Sequence, residues 1–152
     1  MDTMDVKGQA SVEYLLLALV FLIILGSVTV PLVGNAITNS EDVSHSSDAS
    51  AAINSIANAV GIVYSNGPGA KRTINVYFSR GGALTYNSAT SAIQMLVYIN
   101  STSTNKVVDA NVPINVTLNG ANSATVNNLT NYNATVTWAN GTSNVNVALT
   151  PT

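Results

Sequence analysis

At 152 residues, the chain has room for one small domain beside a long helix, which argues against a multidomain reading of these residues. Only 8% of residues are charged and the net charge is −2, with Lys71, Arg72, Arg80 and Lys106 scattered rather than striped, so nothing in the charge pattern points to nucleic-acid binding. The absence of cysteine excludes disulfides and thiolate metal sites.

The first element is the stretch KGQASVEYLLLALVFLIILGSVTVP. Tyr14 to Val30 carries no charge, and with Ala10 to Val12 the apolar character covers ~20 residues, enough to cross ~30 Å of hydrocarbon. Lys7 flanks its N-terminal end and no Lys or Arg follows until Lys71, which predicts an N-terminus on the inner side. Glu13 is the anomaly: a carboxylate in a spanning segment costs up to a few kcal/mol and calls for a positive partner. Two plainer readings exist. One is a secretory signal, with Lys7 as basic flank, Leu15 to Leu25 as apolar core and Gly34-Asn35-Ala36 as a small-residue cleavage site. The other is a single-pass anchor with Glu13 at headgroup level. Neither accounts for Gly8-Gln9-Ala10-Ser11-Val12-Glu13-Tyr14.

That pattern resembles the class III signal of archaeal type IV prepilins, in the subfamily with Gly-Gln-x-Ser-x-Glu followed by an aromatic residue and leucines. Lys7, Gly8, Gln9, Ser11, Glu13, Tyr14 and Leu15 all match. The resemblance implies that a membrane-embedded aspartic prepilin peptidase cuts between Gly8 and Gln9. Residues 1–8 are then a leader. Residues 9–64 are a retained helix, transmembrane before assembly and filament core afterwards, and 65–152 form an antiparallel β domain. Further implied partners are other copies of the chain in a helical polymer, an assembly ATPase and a membrane platform, with Gln9 and Glu13 acting in assembly. The product would be an extracellular adhesive pilus, and no cofactor is expected. Two rivals remain at this level: an archaellin, which shares the layout but usually has another cleavage context, and a monomeric membrane-anchored binding module.

Pro31 and Gly34 follow the apolar run, and Pro31 predicts a bend. Asn39 to Ser50 is polar, with Val43 as its only large apolar residue, so it is not expected to bury a face. Thr38 and Glu41 form a capping-box pattern. Ile53, Ile56, Ala57, Val60 and Val63 then recur at helical spacing, a stripe that needs a partner surface. The reading is one long bent helix from about Ser11 to Val63, some 80 Å long, with a break between Thr38 and Ser47 as the alternative.

Ser65 to Ala70 breaks this periodicity, and the pattern switches to period two. Ile74, Val76 and Phe78 alternate, and Gly81-Gly82 predicts a hairpin returning through Leu84 to Tyr86. Ile93 to Ile99 is apolar on both phases, which predicts a doubly covered central strand. Val112, Ile114, Val116 and Leu118 alternate, with Pro113 marking a sheet edge. Tyr132, Ala134, Val136 and Trp138 predict an inward face, Asn140-Gly141 a turn, and Val145, Val147 and Leu149 the returning strand. About six short strands read as an α+β protein with a small antiparallel sandwich or barrel, its core completed by the helical stripe.

Chemistry is sparse. Glu41, His45 and Asp48 would share a helix face and form a weak metal candidate, against the commoner solvated face. Gly67 to Lys71 fails the phosphate-loop spacing and reads as a turn. N-x-[ST] sequons fall at Asn100, Asn115, Asn128, Asn133 and Asn140, with Asn115 and Asn133 on the outward phase of their strands, so all five are candidate glycosylation sites. No nucleophile–base pair, carboxylate pair or cofactor motif is visible, and no enzymatic activity is expected.

Overall fold

A computed structural model describes the backbone of residues 4–152 and the side chains from Ser11 onward. Residues 1–3 lie outside the described residues, as do the surroundings of Gly8 and Gln9 at the expected cleavage point. The fold is α+β, with helix α1 (Met4–Asn66) followed by β1 (Lys71–Phe78), β2 (Gly82–Asn87), β3 (Ala92–Ile99), β4 (Thr104–Asn111), β5 (Asn115–Leu118), β6 (Ser123–Val126), β7 (Thr130–Thr137) and β8 (Asn144–Pro151). The chain divides into two compact units, Met1–Ser40 and Glu41–Thr152.

The first unit is helical from Met4. Its large apolar side chains from Val12 to Ile37 are all solvent-exposed, from 47% at Leu25 to 75% at Tyr14. By length and composition, α1 is able to cross a membrane. Helical structure continues on both sides of Pro31, although its ring nitrogen has no proton for the carbonyl of Ser27. Thr38 does not act as a helix cap. Its hydroxyl donates back to the Gly34 carbonyl at 3.1 Å, the in-helix alternative open to Ser and Thr.

In the second unit, α1 continues from Glu41 to Asn66, so the helix is unbroken as the favoured reading had it, and the alternative break between Thr38 and Ser47 is absent. Asn39 to Ser50 also does bury a face, through small and polar groups. Asp42, Ser46 and Ala49 are buried and Val43 is 70% exposed. Asp42, Ser46, Ala49, Ile53, Ile56, Val60 and Val63 alternate at spacings of four and three, one continuous buried stripe. Gly67 ends the helix in the left-handed region (φ +85°), its N–H donating to the carbonyls of Val63 and Tyr64 at 3.1 and 3.2 Å.

Two four-stranded sheets follow, in the orders β1-β7-β8-β5 and β4-β3-β2-β6. β7 and β8 form the predicted hairpin, with Val136 opposite Val147 and Ala134 opposite Leu149. The predicted β1–β2 hairpin does not form. β1 pairs with β7 in one sheet and β2 with β3 and β6 in the other, so Ser79 to Gly81 crosses between sheets. Packing accounts for the residue choice. A Cβ on Gly81 would lie 2.6 Å from the Val126 carbonyl oxygen and 2.9 Å from the Asn128 amide nitrogen. β5 departs from the antiparallel expectation by pairing parallel to β8, and Pro113 lies before it in the link from β4. β3 is interior to its sheet but covered on one face alone: Ile93, Met95 and Val97 are buried, while Leu96 and Tyr98 are 57% and 46% exposed.

The buried helix stripe joins both sheets in one core with Phe78, Leu84, Ile93 and Leu118, each side chain contributing roughly 1.5–3 kcal/mol on burial. Phe78 meets Tyr132 edge-on at 6.0 Å, and the buried Tyr132 hydroxyl accepts the Asn127 N–H at 2.8 Å. Shallow grooves flank this part of α1, one lined by Ala52 and Ser55 with Asn75 and Tyr77 of β1, another by Ala57 and Gly61 with Asn111 at the end of β4. Residues of β1 and β4, each at an edge of its sheet, thus stand near the helix across these grooves.

Candidate functional site

Glu13 is exposed, and its neighbours one turn on, Leu16 and Leu17, are exposed and apolar. No Lys or Arg occurs between Ser11 and Asn66, so α1 offers the Glu13 carboxylate no ammonium or guanidinium of its own over those residues. The acid stands at the start of a bare hydrophobic surface.

A second polar centre sits where α1 meets two strand connections. The Asp42 carboxylate accepts the Asn100 N–H at Oδ1 (3.0 Å) and the Ser101 N–H at Oδ2 (2.8 Å), both in the β3–β4 turn. The Ser101 amide is the main cause holding its pKa below the ordinary aspartate value; the Asn100 amide and Arg80 add to it against the desolvation of burial. The Arg80 guanidinium donates to the Tyr98 carbonyl. His45 Nδ1 lies 3.0 Å from Ser79 Oγ. Ser79 is buried and Asp42 faces the turn amides, so this group fastens the helix to the strand connections. Among the described residues, no group of three His, Asp or Glu side chains could hold a metal. Glu41 is exposed, His45 is taken by Ser79, and Glu41, His45 and Asp48 do not converge. Sequence reasoning missed Asp42, whose signal was its phase on the stripe that Ile53 and Ile56 continue.

The five sequon asparagines are all exposed. Asn128 is built into the fold, its Oδ1 accepting the Gly81 N–H. Asn133 pairs across strands with Asn75 at 3.4 Å. Asn140 lies in the β7–β8 turn, and the backbone N–H of Asn100 belongs to the Asp42 clasp. Asn115 Oδ1 accepts the Tyr86 hydroxyl at 2.9 Å beside a cleft of about 270 Å³.

Comparison of the chain with protein-family profiles, with characterised proteins and with solved structures finds no match.

Proposed function

We propose that this chain is the structural subunit of an archaeal type IV pilus. On this reading it is cut between Gly8 and Gln9 by a prepilin peptidase, held in the membrane by α1, and moved by the assembly ATPase and platform into an extracellular filament used for attachment. One observation carries the reading: the Gly8-Gln9-x-Ser11-x-Glu13-Tyr14 pattern opens a helix whose apolar side chains are exposed on every side from Val12 to Ile37. An isolated helix of this kind has two apolar environments open to it, lipid and other such helices. Transfer from the first to the second is the assembly step, driven by packing between helices rather than by escape from water.

Glu13 gives the transfer its register. Cleavage after Gly8 creates an ammonium at Gln9, and in a helical head-to-tail array that group on one subunit meets Glu13 on another. The α1 segment that follows supplies no competing Lys or Arg. The compact unit Glu41–Thr152 would then be the exposed part of each subunit, its surface of Asn, Ser and Thr facing the medium.

The test is the mass and N-terminal sequence of the extracellular form, read together with negative-stain images of the cell surface. A chain beginning at Gln9 within thin filaments is the expected result. A soluble monomer beginning at Ile37 would instead establish a secretory signal, and an uncut membrane monomer would establish an anchored module.

A further inference from the structure

The cleft beside Asn115 has a chemistry of its own. It holds about 270 Å³, just below the roughly 300–1,000 Å³ of drug-sized sites, a size suited to a single ring. Its lining is formed by Tyr86, Ser88, Asn115, Thr117, Asn122 and Asn144 among others, and no lining side chain carries a charge. Amides and hydroxyls both donate and accept, which is the pattern that adjacent hydroxyls of a sugar ring require. β5 and β8 put two such amides side by side, because Asn115 is the Cα partner of Asn144 in the parallel pair, in strands about 4.8 Å apart. Tyr86 supplies an aromatic wall, and its hydroxyl holds Asn115 Oδ1 at 2.9 Å, which turns Nδ2 away from it. A charged ligand would find no counter-ion here, and an apolar one would strip water from amides it could not satisfy.

We propose that this cleft is a saccharide site that seats one neutral pyranose ring. The same chemistry has two sources: the first sugar of a glycan on Asn115 itself, or a sugar supplied from outside. Asn115-Val116-Thr117 is a sequon, and its asparagine and threonine both line the cleft. In the first case, a polyprenyl-phosphate-linked oligosaccharide is the donor. Its C1–oxygen bond to the carrier phosphate breaks, a C1–Nδ2 bond forms, and the amide proton leaves with the released carrier phosphate. The inference is independent of the filament reading.

The experiment uses the full chain purified from its native membrane in detergent, with glycopeptide mass spectrometry reading Asn115. Where Asn115 is occupied, nuclear Overhauser contacts are expected between the Tyr86 ring and the first sugar, and they should weaken in Asn144→Ala. An occupied Asn115 whose sugar shows no such contact overturns the proposal. Where Asn115 is unoccupied, the probes are methyl glycosides of glucose, galactose, mannose and N-acetylglucosamine. At least one should shift the amide resonances of Asn122 and Asn144 with a dissociation constant on the order of 1 mM, several-fold weaker in Asn144→Ala and unchanged in the remote Asn75→Ala. Unmoved resonances for all four sugars overturn the proposal in this arm.

Discussion

The rings of Tyr64 and Trp138 stack with centroids 5.6 Å apart and planes 15° from parallel, joining the last turn of α1 to the chain leaving β7. Trp138 is half-buried where the sequence pattern had placed it inside. Its indole N–H donates to the Thr142 carbonyl at 2.9 Å, and its backbone exchanges hydrogen bonds with Gly69 and Ala70. Tyr64→Ala should destabilise the protein by about 0.5–1.5 kcal/mol beyond the lost area. Tyr64→Phe should stay near wild type. Urea titration followed by fluorescence of Trp138 measures both, since it is the one tryptophan of the chain.

Asp42 makes stability depend on pH. Its folded pKa is lowered, chiefly by the Ser101 N–H, so its contribution is complete above the unfolded aspartate value and disappears as pH falls through the lower folded value. Thermal melts of wild type and Asp42→Asn should differ most near neutrality and converge in strong acid. A constant difference across that acid range would remove the clasp as its cause.

Gly81→Ala should cost about 1–3 kcal/mol, because the new methyl would meet backbone atoms of Val126 and Asn128 that cannot rotate away. Gly120, with no atom within 4 Å of an added Cβ but a positive φ, is the contrast: its penalty arises from backbone strain alone. Equal urea midpoints for Gly81→Ala and wild type would mean that the crossover is free to move.

A chain starting at residue 36 should be soluble and folded, since the unit Glu41–Thr152 has its own core. Its circular dichroism should combine one helix with a dominant β signal. Aggregation of this fragment, or a largely helical spectrum, would contradict the description of that unit.

Glu13→Gln is expected to leave membrane insertion and cleavage intact and to abolish filaments. The ammonium of Gln9 would be left without its partner in an apolar bundle, at a cost of roughly 3–5 kcal/mol. Processed but unassembled subunits in the membrane are the expected outcome in cells carrying that variant alone. Normal pili would end the register mechanism while leaving the helix-bundle reading standing.

Local periodicity made much of this fold legible. Ile53 to Val63 marked the helix face, Ser65 to Ala70 the change from helix to strand, and Tyr132 to Leu149 the β7–β8 hairpin, because each depends on residues close in sequence. Period two does not choose partners, so the pairing of β1 with β7 and the parallel β5–β8 contact were hidden. Side-chain type misled twice. Leu96 and Tyr98 are apolar yet outward, and Asp42 is charged yet inward because two turn amides receive it. At the candidate sites, the Glu13 anomaly and the Asn115 sequon were readable, whereas the cleft was not, being assembled from β2, β5, β8 and the loops beside them.

The place of β8 between β7 and β5 sets a timetable for biogenesis. That sheet cannot close until Asn144 to Pro151 have been made, so the helix stripe ending at Val63 waits some 80 residues for the part of its cover that this sheet supplies. At roughly 5–20 residues per second, this is about 4–16 s of synthesis. Throughout that interval Ile53, Ile56 and Val60 are exposed to any chaperone or translocation channel that handles the nascent chain, and folding is deferred until β8 has emerged.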